Sequence, residues 1–214
     1  STVARCIVRL IDPSEGEIVV GGSAFSTATG RALSPLRRQA QIVFQDPYRS
    51  LDPRQTVGES IIEGPINFGV SRIEAWSRAK KLMELVHLKV DALKRYPSEF
   101  SGGQRQRICI ARALACEPKL LIADEAVSAL DVSVQAQILK LLDEIQQQLQ
   151  IGILFITHDL RVAARMCDRV IVMQTGRVVE QGRASEILQA PKHPYTRSLV
   201  DAAPGREFEF AMSQ

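Results

Sequence analysis

The sequence predicts an α/β domain, a mostly parallel sheet interrupted by a helical insertion. Three observations carry this. Leu120-Leu121-Ile122-Ala123 and Ile153-Leu154-Phe155-Ile156 are short runs that are apolar throughout instead of alternating, as in strands covered on both faces. Between them Val134, Ile138, Leu141, Leu142, Ile145 and Leu149 recur at helical spacing, so strand, helix and strand alternate. Across residues 51–118 the strand signal is absent, and residues 57–62, 73–88 and 104–116 have helical character.

The remaining elements follow in order. Val3, Cys6, Ile7, Leu10 and Ile11 have the i, i+3, i+4 spacing of an amphipathic helix that begins at once. Asp12-Pro13-Ser14-Glu15-Gly16 ends it and turns the chain. Residues 17–20 read as a strand with Gly21-Gly22 as its turn, and Ile42-Val43-Phe44 as a short apolar strand running into Gln45-Asp46-Pro47. Beyond the two buried strands, residues 169–173 and 177–180 flank Gln174-Thr175-Gly176 as a hairpin. Residues 184–189 form a short helix, and the tail after Pro191 is expected to be partly irregular.

Composition narrows the function classes. The 214 residues suit one large α/β domain or a domain with a substantial insertion, and a chain this long buries a core without crosslinks. A formal charge of +3 is too small to argue for nucleic acid as a partner. The longest apolar run, around residues 151–156, is far too short to span a bilayer, so a membrane role would be exercised through a partner. Cys6, Cys109, Cys116 and Cys167 form no C-x-x-C pair, and His87, His158 and His193 share no ligand spacing with them. Reduced, mostly buried thiols are expected.

Two segments carry chemistry. In Lys119-Leu120-Leu121-Ile122-Ala123-Asp124-Glu125 a buried strand bears two acids at its carboxyl end, the edge where open α/β sheets bind ligands. Asp124 is placed to hold Mg2+ and Glu125 to deprotonate an attacking water in phosphoryl transfer. Taken alone, the pair is equally compatible with a strand cap. Phe100-Ser101-Gly102-Gly103-Gln104-Arg105 is more specific: two glycines let bare backbone approach a phosphate, Ser101 adds a hydroxyl, and a helix N-terminus follows. Its plainer reading is a Ser N-cap before a helix.

The order Gln45, Ser101-Gly102-Gly103-Gln104, Asp124-Glu125, Ser128-Ala129-Leu130-Asp131, Thr157-His158-Asp159 resembles the ABC ATPase family over nearly the whole chain. The resemblance implies a P-loop NTPase-type fold with ATP and Mg2+ as cofactors. Ser101 to Gln104 match the signature motif, Asp124 the Walker B acid, Glu125 the catalytic glutamate, Asp131 the D-loop aspartate, Gln45 the Q-loop glutamine and His158 the switch histidine. It also implies a dimer in which Ser101, Gly102, Gly103 and Gln104 cover ATP held by a second ATPase subunit, identical or similar, and Asp131 crosses between subunits. Glu125 and His158 are then the catalytic residues, with Gln45 and Asp124 toward the metal. Ala126 stands where relatives usually have Pro.

No G-x-x-x-x-G-K-[ST] loop occurs in these residues. Ser1 and Thr2 match the residues that follow that loop's lysine, Ser1 as a Mg2+ ligand and Thr2 beside it. The expectation is an N-terminally truncated chain or an incomplete gene model, missing the loop and the N-terminal strands, that by itself does not hydrolyse ATP at a useful rate. The whole of residues 1–214 is then a partial nucleotide-binding domain, with 51–118 as its helical subdomain and 190–214 as a C-terminal extension. The run from Phe44 to Arg54 and the run Ala190-Pro191-Lys192-His193-Pro194-Tyr195 look like dipeptide and oligopeptide importer ATPases. The resemblance implies transmembrane permease subunits as partners, a periplasmic or surface substrate-binding protein as an indirect one, and a place at the cytoplasmic face of a bacterial inner membrane. With no cysteine after Cys167, no iron–sulfur cluster is expected. Two other readings are a soluble ABC ATPase of DNA repair or translation, whose usual long insertions are not visible, and an inactive fragment.

Overall fold

The computed structural model describes residues 2–203, and the chain divides between Ile156 and Thr157 into two compact units. In order, the first holds α1 (Thr2–Ile7), β1 (Val19–Val20), β2 (Ser23–Ala24), α2 (Leu33–Gln39), β3 (Ala40–Val43), α3 (Pro47–Ser50), α4 (Val57–Asn67), α5 (Arg72–Leu85), α6 (Gly102–Leu114), β4 (Leu120–Asp124), α7 (Val132–Leu149) and β5 (Gly152–Ile156). Single turns of 3-10 helix lie at Gly30–Ala32, Val90–Lys94 and Pro97–Glu99.

The sheet expected from the flat apolar runs is present as β3, β4 and β5, all parallel, with β4 in the middle. Parallel neighbours need long crossovers: α3 to α6 make the first and α7 the second. Leu121, Ile122 and Ala123 of the central strand are buried, and Ile122 joins Ala4, Val8, Val20, Phe25 and Ala40 in one cluster. α7 buries Ile138, Leu141, Leu142 and Ile145 as its spacing predicts, whereas Leu149, expected on the same face, is exposed at the last turn.

Several local expectations are corrected. The opening helix stops at Ile7 and does not continue through Leu10 and Ile11, which are exposed. The cause is Arg9, left-handed at φ 56°, whose buried guanidinium bonds the carbonyls of Phe25, Ser26 (3.0 Å) and Ala28 (3.1 Å) and the carboxylate of Asp12 (2.8 Å). These long-range bonds outweigh another turn of a short helix. The strand expected at residues 17–20 shrinks to Val19–Val20, which pairs with β2 across Gly21 and Gly22. Both glycines have positive φ, 55° and 80°, as a two-residue hairpin turn requires.

Helix starts obey side-chain capping. Thr56 and Glu59 form a reciprocal box at α4, Ser101 and Gln104 at α6. α3, for which the sequence carries no periodic signal, is a four-residue helix because Asp46 accepts from the N–H groups of Tyr48 (2.8 Å) and Arg49 (3.3 Å). No strand occurs between β3 and β4 among the described residues.

The second unit holds α8 (Leu160–Met166), β6 (Arg169–Gln174), β7 (Arg177–Arg183), α9 (Ala184–Gln189) and α10 (Pro194–Ala202). β6 and β7 form the expected antiparallel hairpin through Thr175 and Gly176. The tail after Pro191 is more regular than expected: His193 accepts the Tyr195 N–H at 3.2 Å and starts α10. The Glu180 carboxylate holds that start, accepting the N–H groups of Lys192 (2.8 Å) and His193 (3.0 Å). A cap of this kind, made by a distant strand residue, leaves no local mark in the sequence.

Candidate functional site

The parallel register brings two candidate residues to one edge. Val43 pairs with Ala123, so Gln45 and Glu125, each two residues past that pair, lie just beyond the carboxyl ends of adjacent strands. Asp124 ends β4 opposite Ile156 and is 4% exposed, while Glu125 is half-buried and Gln45 exposed. Glu125 has a left-handed backbone, φ 52°, which costs a non-glycine residue on the order of 1–2 kcal/mol. Its N–H donates to the Ile156 carbonyl at 2.9 Å, and its own carbonyl accepts the Ser128 N–H (3.1 Å) and hydroxyl (2.9 Å). Backbone strain bound on both sides, beside a buried acid at the ligand edge of a sheet, is a feature of functional sites. Ala126 and Val127 are buried, so the loop after the two acids is packed.

A second constellation forms at the start of α6. Ser101 caps the helix by accepting the Gln104 N–H at 3.4 Å, and Gln104 accepts the Ser101 N–H at 3.0 Å. Both side chains are thus committed to the cap, leaving the backbone of Gly102 and Gly103 as the open donors. A Cβ on Gly103 would stand 2.5 Å from Val134 of α7, so only glycine fits; one on Gly102 would meet Leu130 at 3.6 Å and the Tyr48 hydroxyl at 3.8 Å, ordinary contact distances. Asp131 starts α7 without a capping bond from its side chain. The segment from Ser128 to Val134 and the turn of Ser101 to Gly103 are therefore packed together on the first unit.

Tyr48 and Arg105 lie in segments whose motifs say nothing of a contact between them. The Arg105 guanidinium lies 4.0 Å from the Tyr48 ring centroid, with its Nε on the Phe100 carbonyl at 3.0 Å. Arg112 bonds the Ser50 carbonyl. The aromatic next to a Pro after Gln45 was the available signal, but nothing local says that α3 lies on α6.

His158 lies in the second unit, two residues after β5 in the chain, ahead of an Asp159 that accepts the Arg161 N–H at 2.9 Å and caps α8. The side chain of Arg161 also bonds Asp159 and is the largest influence holding its carboxyl below the usual range. Thr2 is the exposed first residue of α1, and Ser1 lies outside the described residues. Among the described residues no three His, Cys, Asp or Glu gather as a metal cluster, and no helix is long and apolar enough to cross a membrane. Burial pushes the thiols of Cys109, Cys116 and Cys167 up to about 11. Two surface grooves, of about 430 Å³ beside Glu180 and Lys192 and about 320 Å³ beside Glu59 and Ile66, are lined by none of the candidate site residues.

Comparisons with known proteins point one way. The profile of the family described as ABC transporter matches residues 1–128, and that of the oligopeptide/dipeptide transporter C-terminal region matches residues 179–209. The glutathione import ATP-binding protein GsiA of Salmonella typhimurium is 51% identical over 95% of the chain and 33% of its own length. A Brucella ovis protein, provisionally named a peptide import ATP-binding protein, is 48% identical over 95% of the chain and 65% of its own length. The chain thus spans about a third and about two thirds of these relatives. Among solved structures, cbiO1 of Clostridium perfringens, part of the transporter complex cbiONQ, superposes with a TM-score of 0.78 at 31% identity, covering 88% of this chain and 74% of that one. The ATP-binding cassette MJ0796, solved as a dimer in a post-hydrolysis state with ADP and Pi, gives 0.73 at 30% identity, covering 86% and 79%.

Proposed function

The chain belongs to the ABC transporter family, and from that premise we propose that it is the ATP-binding and ATP-hydrolysing part of a bacterial importer of peptides. The observation that carries the chemistry is the shared sheet edge, where the buried Asp124, the left-handed Glu125 and Gln45 stand at adjacent strand ends. The match of residues 179–209 to an oligopeptide/dipeptide transporter region supports the choice of cargo.

In this reading Asp124 and Gln45 face Mg2+. That ion favours one or two carboxylates completed by phosphate oxygens and water, which fits an edge with one buried Asp and no three-residue cluster among the described residues. When bound, it supplies positive charge against the nucleotide phosphates. Glu125 accepts the proton of the attacking water, and His158 steadies the terminal phosphate. The backbone N–H groups of Gly102 and Gly103, framed by Ser101 and Gln104, cover the nucleotide of a partner ATPase subunit, and Asp131 reaches across with them. Thr2 stands near the phosphates in the same scheme. These residues contain no phosphate-binding loop of their own, so hydrolysis is proposed for a polypeptide that carries one.

Residues 51–118 act as the helical subdomain that faces a transmembrane permease subunit, with the exposed Ile66 and the half-buried Phe68 at the end of α4 as contacts. The protein works at the cytoplasmic face of the inner membrane, held there by that subunit.

The test is Glu125→Gln in the natural full-length polypeptide. ATP binding should persist, while phosphate release falls by about 10²–10⁴-fold, the usual worth of a general base. Turnover close to that of the parent would remove Glu125 from the role of base.

A further inference from the structure

Gln106 is fully buried, and neither its Nε2 nor its Oε1 has a hydrogen-bond partner among the described residues. Buried amides are almost always paired, and an unpaired one is costly. The rest of the buried face of α6, with Ile108, Cys109, Ile110, Ala113 and Leu114, is apolar. A Leu or Met at position 106 would fill the same space without that cost.

The helix defines what the amide faces. Gly102 lies one turn earlier on the same side, and its Cβ direction meets Leu130 and the Tyr48 hydroxyl. Three residues later, Cys109 is buried within electrostatic reach of Arg112 and Asp46. Helical side chains lean toward the N-terminus, which directs Gln106 toward the turn of Gly102, whose neighbours are Tyr48, in the helix just after Gln45, and Leu130, in the loop of Glu125 to Leu130. That last loop is already bonded to itself: Ser128 donates to the Glu125 carbonyl, Leu130 N–H to the Val127 carbonyl (3.1 Å), and Gln135 to the Leu130 carbonyl (2.9 Å). The loop of Gln45 leaves the strand ladder after Val43 and is anchored through Asp46, whose carbonyl accepts the Ser50 hydroxyl at 2.7 Å.

We propose that Gln106 is a positioning residue for hydrolysis: its amide pairs with the backbone of residues 44–46 when that loop engages nucleotide, and so sets Gln45 in register with Ser101 and Gly102. The proposal rests on the function argued above. The unpaired amide disfavours the arrangement described here and, once paired, favours the nucleotide-engaged one. Gln106 thereby ties the loop that reads one nucleotide to the motif that covers the other.

Gln106→Leu and Gln106→Met test this with two readouts. In thermal unfolding of this chain without nucleotide, both variants should melt higher than the parent. In the full-length polypeptide carrying Glu125→Gln, ATP-driven dimer closure, followed by size-exclusion chromatography, should need about five- to tenfold more ATP in either variant, the worth of one hydrogen bond. A merely structural role would move stability and closure in the same direction. A lower melting temperature in both variants overturns the proposal, as does a higher one with unchanged closure. No closure at all with Gln106 intact overturns the proposed function, and this proposal with it.

Discussion

Gly102 and Gly103 stand side by side at the start of α6 for different reasons. Gly103 is steric: a methyl group there overlaps Val134 at 2.5 Å. Gly103→Ala should destabilise the chain by about 1–3 kcal/mol, the range for forcing an extra carbon into a packed contact, and Val134→Ala should restore most of the loss. Thermal melts of the two single variants and the double variant check this; additive losses would mean that Val134 is not the obstacle. Gly102 has room for a methyl group, so Gly102→Ala should leave the melting temperature within about 2 °C of the parent, because contacts at ordinary distance add little strain. The requirement for glycine at 102 is then open to a functional test free of misfolding, whereas the one at 103 is not. Glu125 shows a third kind of constraint, a left-handed backbone held by Ile156 and Ser128, which periodicity in the sequence does not reveal.

Among the elements, α10 depends on one carboxylate of β7. The buried Thr196 hydroxyl is the largest influence lowering the Glu180 pKa below its ordinary 4.5, followed by the N–H of Lys192 and then that of His193. The folded form thus holds its proton less tightly than the unfolded form. The contribution of Glu180 is complete above pH 4.5 and declines as the pH falls from there through the lower folded value. Protection of the Lys192 and His193 amides, relative to their intrinsic exchange rates, should fall over that acid range, and Glu180→Gln should lower protection at neutral pH and flatten its acid dependence. Protection unchanged by the substitution would show that β7 does not hold α10.

At the scale of the whole molecule, the two units offer separate thiol reporters. Cys109 and Cys116 are buried in the first unit and Cys167 is half-buried in the second, all three with pKa values raised to about 11 by burial. At pH 8 Cys109 and Cys116, buried as well as protonated, should react with iodoacetamide only through opening of the fold, because the thiolate is the nucleophile. Among the described residues the second unit holds a two-stranded hairpin and short helices, and a hairpin of two strands has low intrinsic stability. Cys167 should therefore become reactive at a lower urea concentration than Cys109 and Cys116, as read by mass spectrometry. Coincident labelling of all three would mean that the units open as one.

The elements that announce themselves over many residues were legible in the sequence: the flat strands β4 and β5, the long amphipathic α7, the helical run from α4 to α6, and the ordered motifs that led to the family. Each is a local pattern whose period or composition survives without knowledge of neighbours. What the tertiary structure decided lies where distant segments compete with or complete a local one. Arg9 ends α1 early because loop carbonyls at 25–28 capture its guanidinium. α3 and α10 are too short for periodicity and exist through caps. Only the packing of α3 and α7 against α6 shows why Gly103 admits no side chain, what Tyr48 rests on, and that Gln106 is a buried amide where its helix face is otherwise apolar. Spacing along one chain specifies which face of a helix is apolar, but the partner of that face, and the cost of a polar group within it, is set by residues far away in sequence.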